Sequence, residues 1–276
     1  MKALALISGG LDSILAVKVV QEAGVEVEGL HFVIPFLQTQ ENEITGGPAT
    51  TAAKQLGIKL HYYFCGSDYL HIIENPAHGY GKRMNPCVDC RIYKFKIAHQ
   101  IMKDIGAAFL VTGEVLDQRP NSQRRDALDI TQRDAGIRGL VLRPLSAKHL
   151  QPTIPENEGW IDRTKLLDLK GRGRNPQIEL AKKFNIQDYS APAGGCLLTC
   201  EEYALKVKDL LTFNKKLTLP QVKLLRVGRH LRLSPETKII VGKNQAENEQ
   251  LKQMASAEDS SISKLQWANH FVSWPC

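Results

Sequence analysis

Short apolar runs alternate with helical stretches through the first half of the chain. Runs of strand length predict β-strands over 2–7, 25–33, 58–65, 107–112 and 140–142. Apolar residues spaced three or four apart predict helices over 14–22, 49–56 and 91–105. Strands that alternate with helices are typical of a parallel sheet covered on both faces. We therefore predict an α/β fold with a doubly wound parallel sheet.

The pattern changes in the second half. Helical spacing predicts helices over 177–184, 201–213 and 245–257, and short β segments are predicted within 219–241. Residues 191–195, Ala-Pro-Ala-Gly-Gly, have the composition of a linker. We therefore predict a large domain over 1–200 and a small α+β domain over 201–276.

The first strand runs directly into Ser8-Gly9-Gly10-Leu11-Asp12-Ser13, and a helix follows. Glycines let the backbone turn sharply and approach a ligand, and a helix N-terminus offers free N–H groups to an anion. Ser8 and Ser13 add hydroxyl donors, and Asp12 has the chemistry to hold Mg²⁺, a ribose or an amine. The spacing excludes a Walker A loop and a Gly-x-Gly-x-x-Gly fingerprint. The segment is therefore a candidate phosphate cradle of another type.

Four cysteines form the second candidate site. Cys87 and Cys90 make a Cys-x-x-Cys pair before the predicted helix 91–105, whereas Cys196 follows a glycine turn and Cys200 comes soon after. A thiol at a helix N-terminus is readily ionised, so it can bind metal or act as a nucleophile. Thiolates suit zinc and iron alike, which leaves a four-cysteine zinc site, a three-cysteine cluster and an exposed pair without metal as alternatives.

Within these alternatives we expect Cys87, Cys90 and Cys196 to form one site with Cys200 outside it. Three thiolates leave one coordination position open, as a sulfur-transferring [4Fe-4S] cluster requires, and zinc is the alternative metal. Cys65 and Cys276 have no partner signal, and we expect Cys65 to be a core residue.

The order of several segments resembles a known family. The loop at 8–13 resembles the pyrophosphate loop of the PP-loop ATP pyrophosphatases. This loop, the cysteine pair at 87–90, Thr-Gly-Glu-Val-Leu-Asp-Gln at 112–118 and Arg-Pro-Leu at 143–145 together resemble the catalytic domain of the tRNA 4-thiouridine synthases. The tRNA 2-thiouridylases are similar at a greater distance, and the resemblance covers roughly residues 1–200.

The resemblance implies an ATP-dependent tRNA sulfurtransferase. Such an enzyme cleaves ATP between the α- and β-phosphates, adenylates a uridine base and replaces its oxygen by sulfur. It implies ATP and Mg²⁺ as cofactors, and tRNA and a sulfur donor, either sulfide or a persulfide carrier, as partners. The implied ATP-binding residues are Ser8, Gly9, Gly10, Leu11, Asp12, Ser13, Thr112, Gly113, Glu114 and Gln118, and the implied catalytic residues are Asp12, Cys87, Cys90 and Cys196.

Charge also favours a nucleic-acid partner. The 276 residues carry a formal net charge of +7, and a positive field favours a polyanion. Basic residues concentrate at 119–143, including Arg143, and at 165–183. Residues 241–248, Val-Gly-Lys-Asn-Gln-Ala-Glu-Asn, resemble the start of the RNA-binding module of the NFACT proteins. The candidate RNA-binding residues are Arg119, Arg124, Arg125, Arg172, Arg174 and Lys243.

Two other functions remain open from the sequence. A PP-loop enzyme that adenylates a small carboxylate or amide and transfers nitrogen needs neither the cysteines nor RNA. A non-catalytic RNA-binding protein does not need the intact loop at 8–13. No apolar run has the length of a membrane span, and six cysteines favour metal or redox chemistry in a reducing compartment, so we expect a cytoplasmic protein without membrane contact. The modified tRNA position, the sulfur donor and the oligomeric state are not indicated.

Overall fold

The computed structural model describes residues 1–37, 46–190, 196–214 and 216–256. Five parallel strands form the main sheet in the order β3-β2-β1-β4-β5, and two antiparallel strands form a separate ribbon. The strands of the main sheet are β1 (Lys2–Leu6), β2 (Glu26–Val33), β3 (Leu60–Phe64), β4 (Phe109–Val111) and β5 (Val141–Leu142), and the ribbon consists of β6 (Arg229–Arg232) and β7 (Lys238–Val241). The predicted doubly wound parallel sheet is confirmed.

Helices surround this sheet and continue beyond it. They are α1 (Leu11–Glu22), α2 (Pro48–Leu56), α3 (His71–Glu74), α4 (Cys87–Asp104), α5 (Arg125–Asp134), α6 (Ile154–Asn157), α7 (Asn175–Lys183), α8 (Glu201–Phe213), α9 (Leu219–Leu224) and α10 (Gln245–Ser256). Among the described residues, no helix has the length and apolarity needed to span a membrane.

Successive side chains of β1 point to opposite faces of the sheet, and each face has its own core layer. Ala3 and Ala5 point to the layer formed with α1, α2 and α7, whereas Leu4 points to the layer that contains α4 and α8. All three side chains are at most 1% exposed. The middle strand is therefore buried on both faces, as a doubly wound sheet requires.

Three sequence predictions need correction. Helix α4 begins at Cys87 rather than Arg91, because the N–H of Cys90 already donates to the carbonyl of Pro86 at 2.9 Å. Helix α5 was missed, since charged residues dominate its sequence and its apolar side is short. Helix α9 lies where short β segments were predicted. A capping box between Thr218 and Gln221 stabilises its first turn.

The predicted boundary near residue 200 falls beside a helix that packs on the sheet. Tyr203 and Val207 of α8 share a core layer with Phe36 and Phe95. A separate cluster, formed by Leu224, Val227 and Leu251, lies under the ribbon and α10. The ribbon and α10 therefore have a small core of their own.

Candidate functional site

The loop after β1 is held in a turned conformation that only glycine fits. Gly9 has φ +79°, and a Cβ there would lie 2.4 Å from the carbonyl carbon of Pro48. The Ser13 hydroxyl donates to the carbonyl of Gly10 at 2.7 Å, and the N–H of Gly10 donates to the Ser8 hydroxyl at 3.3 Å. Helix α1 begins immediately afterwards at Leu11, which is 2% exposed. The predicted strand, glycine turn and helix N-terminus are confirmed.

The loop lies at the point where the strand order of the sheet reverses. Strand β1 has β2 on one side and β4 on the other, and the connections from these strands run to opposite edges. Ligands of such sheets bind at the carboxyl ends of the strands at this switch point. Thr112 follows β4 at the same edge. The residues at 8–13 and 112–114 therefore occupy the position of a nucleotide site.

Asp12 is the centre of a polar network. Its Oδ2 accepts hydrogen bonds from Gln118 Nε2 at 2.7 Å and from Arg174 Nη2 at 3.1 Å. Gln177 Nε2 in turn donates to Gln118 Oε1 at 3.1 Å. Asp12 Oδ1, Arg174 Nε and Gln177 Oε1 are buried without a hydrogen-bond partner among the described residues. Buried polar atoms normally have partners, so these three mark a place that a polar ligand completes.

The Thr-Gly-Glu segment touches the loop through its glycine. A Cβ on Gly113 would lie 2.5 Å from the carbonyl of Asp12 and from the N–H of Ser13. Only glycine allows the two backbones to approach so closely. Thr112 is 1% exposed and donates its hydroxyl proton to Glu114 at 3.1 Å. The segment therefore forms the second wall of the site.

Glu114 is placed between two arginines rather than facing the loop. Its carboxylate lies 2.9 Å from Arg143 Nε and 3.1 Å from Arg91 Nε, and its side chain is 2% exposed. Burial alone would raise the pKa of Glu114, but the charges of Arg91 and Arg143 outweigh it and the pKa is lowered. The carboxylate is therefore ionised and joins β5 and the first turn of α4 to the Thr-Gly-Glu segment.

The cysteines meet at the first turn of α4. Cys87 and Cys90 lie in that turn, and Cys196 is close enough that their charges affect it. Burial raises the pKa of the Cys196 thiol to about 12, with smaller contributions from Cys90 and Cys87. The three predicted cysteines therefore lie within electrostatic range of one another. Among the described side chains, however, no group of three or more His, Cys, Asp or Glu is arranged to hold a metal ion.

The remaining cysteines occupy other positions. Cys200 is the residue before α8, and its N–H donates to the carbonyl of Leu197 at 2.9 Å. Cys65 is 7% exposed in the core layer of α4, as predicted. The glycine turn predicted before Cys196 and the terminal Cys276 lie outside the described residues.

Ser190 and Cys196, on either side of residues 191–195, both make backbone contacts with other segments. The Ser190 N–H and hydroxyl both donate to the carbonyl of Gly9, at 3.0 and 3.1 Å. Six residues later, Cys196 pairs with Leu37 in an isolated β-bridge. Ser190 was not predicted, because a lone serine carries no sequence signal of such a contact. It fixes the start of the segment that leads to the third thiol.

A cavity of about 250 Å³ opens beside Cys87. Its wall includes His78, Tyr80, Asn121 and Arg124. The segment 118–124 begins at Gln118, which touches Asp12, and ends at this wall. The cavity therefore lies next to a segment that also reaches the Asp12 network.

The predicted RNA-binding residues separate into two groups. Arg119, Arg124, Arg125, Arg172 and Lys243 are exposed. Arg174 instead contacts Asp12, and Arg143 of the predicted basic cluster is 3% exposed beside Glu114. Both arginines therefore belong to internal networks. Their sequence neighbours gave no signal of this, because the partners are far apart along the chain.

Comparisons with known proteins agree with this geometry. Residues 1–151 match a family described as thiamine biosynthesis protein (ThiI), and residues 228–272 match the NFACT protein RNA binding domain. A tRNA-specific 2-thiouridylase MnmA of Sulfurimonas denitrificans is 34% identical over 119 residues, which are 42% of this chain and 35% of that protein. A probable tRNA sulfurtransferase of Alkaliphilus metalliredigens is 34% identical over 148 residues, 53% of this chain and 36% of that protein.

A solved structure is also similar. The U34-tRNA thiolase NcsA from Methanococcus maripaludis with its [4Fe-4S] cluster is 16% identical, with a TM-score of 0.41, and the match covers 89% of this chain and 78% of that chain. The chain spans about a third of the length of the curated relatives named above. The match at 1–151 covers more than half of the 276 residues, and the chain therefore belongs to the ThiI family.

Proposed function

We propose that the protein is an ATP-dependent tRNA sulfurtransferase that adenylates a uridine base, releases pyrophosphate and replaces oxygen by sulfur. One observation carries the proposal. Gly113 packs on Asp12, the adjoining Glu114 pairs with Arg91, and Arg91 directly follows Cys90. The nucleotide loop and the thiols are thus consecutive parts of one set of contacts, as a reaction with adenylation and sulfur transfer requires.

In the first step, the uracil oxygen attacks the α-phosphorus of ATP and pyrophosphate leaves. The backbone amides at the start of α1 and the positive end of the helix dipole stabilise the negative charge on the phosphates. Asp12 Oδ1 is the carboxylate oxygen of this network that has no hydrogen-bond partner among the described residues, and a hard carboxylate oxygen suits Mg²⁺. We assign Asp12 to the metal–phosphate group, with Gln118 and Arg174 holding its other oxygen in place.

In the second step, sulfur attacks the activated carbon and AMP leaves with the former base oxygen. We assign this step to Cys87, Cys90 and Cys196. Their donor chemistry fits an iron–sulfur cluster, which would supply an open iron for sulfide, and zinc is the alternative. The described side chains are not preassembled around a metal, so the three sulfurs would draw together on binding a cluster. Persulfide carriage by the same thiols needs no such change.

We assign tRNA contact to the exposed residues Arg119, Arg124, Arg125, Arg172 and Lys243. Arg119 directly follows Gln118, which contacts Asp12, and Arg124 lines the cavity beside Cys87. Lys243 lies next to α10, in the segment that matches the RNA-binding module. We propose that 1–200 carries the chemistry and 201–276 assists RNA binding. Reduced thiols are consistent with a cytoplasmic location.

The test measures the products of ATP cleavage and the thiolation of the uridine base in the same reaction. Full-length protein is incubated anaerobically with unmodified tRNA, sulfide and ATP labelled at the α-phosphate. We expect labelled AMP, pyrophosphate and a thiolated uridine in the digested tRNA, and Asp12→Ala should abolish all three while its melting temperature stays near that of wild type. AMP formation with a small carboxylate or amide but no tRNA would support the nitrogen-transfer alternative. ADP and orthophosphate with every RNA would contradict the proposal.

A further inference from the structure

The three sulfurs of the cysteine site each accept a hydrogen bond from a different donor. The hydroxyl of Tyr69 donates to Cys90 Sγ at 3.0 Å. Asn85 Nδ2 donates to Cys87 Sγ at 3.1 Å. The backbone N–H of Leu198 donates to the Cys196 sulfur. Asn85 and Leu198 lie two residues from their cysteines, whereas Tyr69 reaches Cys90 from a separate part of the chain.

Both side-chain donors are held in place by their surroundings. Tyr69 is 1% exposed, and its ring packs edge-on against Tyr93 with centroids 5.2 Å apart. Asn85 is 7% exposed, and its Oδ1 accepts the N–H of Arg83 at 3.0 Å. The amide orientation is therefore set, because the oxygen faces the Arg83 N–H and the NH₂ group faces the sulfur. Both donors are thus buried and positioned by contacts of their own.

We propose that Tyr69 and Asn85 are positioning residues that stabilise Cys90 and Cys87 as sulfur ligands. A hydrogen bond to a coordinating sulfur fixes its direction and offsets its negative charge, and such partners commonly determine a large share of metal affinity. The inference rests on the proposed function, because it assumes that the cysteines bind a metal or cluster.

Both variants remove the donor and keep the shape of the side chain, and Asn85→Asp also places a negative charge beside the sulfur. Tyr69→Phe deletes the hydroxyl and keeps the packed ring. Asn85→Asp keeps the acceptor for the Arg83 N–H but presents an oxygen to the sulfur in place of the NH₂ group. Tyr203→Phe is the matched control, because Tyr203 is 5% exposed and its hydroxyl donates to the carbonyl of Val222 at 3.1 Å. Circular dichroism and melting temperature verify that each variant is folded.

The experiment is an anaerobic titration of the full-length, metal-free protein with Co²⁺. Binding is monitored by the sulfur-to-cobalt charge-transfer absorption, and the affinity is measured by competition with a chelator. Tyr69→Phe and Asn85→Asp should each bind Co²⁺ about 10- to 100-fold more weakly than wild type, whereas Tyr203→Phe should bind as wild type does. Wild-type affinity in both folded donor variants would overturn the inference.

A folded wild type without thiolate-bound cobalt would also overturn the inference. The proposed function is judged separately, from AMP and thiolated tRNA formed by the wild type. If Tyr203→Phe lost as much affinity for Co²⁺ as the donor variants, the loss would reflect a general change in packing. That result would also contradict a specific role for Tyr69 and Asn85. A double variant, Tyr69→Phe with Asn85→Asp, should bind more weakly than either single variant.

Discussion

Replacing Glu114 by glutamine should destabilise the protein and weaken ATP binding together. The carboxylate is 2% exposed and lies between Arg143, which is 3% exposed, and Arg91, which is 27% exposed. Removing one partner of a buried ion pair commonly costs 3–5 kcal/mol, because the remaining charge stays buried. Since Arg91 retains access to water, we expect the lower part of this range, about 3 kcal/mol in the free energy of unfolding.

The assay is urea unfolding at neutral pH. A loss of about 3 kcal/mol corresponds to a midpoint about 1 M lower, at a slope of about 2–3 kcal/mol/M. Asp129→Asn is the control for a surface pair, because Asp129 is 59% exposed beside Arg138, and it should change stability by less than about 1 kcal/mol.

Replacing Arg143, whose charge Glu114→Gln leaves unpaired, should restore part of the lost free energy of unfolding. The double variant of Glu114→Gln with Arg143→Met should therefore be more stable than the two single losses predict. Equal midpoints for Glu114→Gln and Asp129→Asn, or strictly additive losses, would refute a buried ion cluster. Because the pKa of Glu114 is lowered on folding, its contribution is complete above the unfolded value of about 4.3 and is lost at lower pH. The free energy of unfolding should therefore fall less steeply at acidic pH in Glu114→Gln than in the wild type.

Three further predictions concern other parts of the molecule. Gly113→Ala should weaken ATP binding at least about tenfold by calorimetry, because its Cβ would lie 2.5 Å from Asp12, whereas Gly173→Ala, with nothing within 4 Å, should not. Burial lowers the pKa of His230 to about 4. The free energy of unfolding should therefore fall by up to about 3 kcal/mol as the pH falls from about 6.5 to about 4. In denaturant titrations over this range, His230→Gln should lose less stability than the wild type. Arg124→Ala and Arg125→Ala should each reduce the slope of log affinity for tRNA against log salt by about 1, measured by filter binding.

Local patterns predicted the nucleotide half of the site well. The strand at 2–6, the glycine turn and the helix at 11–22 are contiguous, so residues 8–13 carry the full signal of their own conformation. Cys196 was predicted to join the Cys-x-x-Cys pair because it carries the same thiol and follows a glycine turn, and this assignment stays a prediction. Sequence alone could not show the contacts of Arg174 with Asp12, of Arg91 with Glu114 or of Tyr69 with Cys90, since each joins segments distant along the chain.

Errors arose where local preferences and tertiary contacts disagree. The family resemblance of the Thr-Gly-Glu segment implies that Glu114 binds ATP, and in the structure its carboxylate pairs with two arginines. Its assignment as an ATP ligand therefore stays a prediction of the resemblance. Residues 219–225 were included in the predicted short β segments, but the capping box at Thr218 and packing of Val222 into the core select a helix.

The fate of the base oxygen tests the central claim most directly. If the uracil oxygen attacks the α-phosphorus, that oxygen remains bonded to phosphorus when sulfur breaks its bond to carbon. A tRNA labelled with oxygen-18 at the uracil carbonyls should therefore give AMP that carries one oxygen-18 atom for each thiolated uridine, as measured by mass spectrometry. Thiolated tRNA together with unlabelled AMP would contradict adenylation of the base at the Asp12 site.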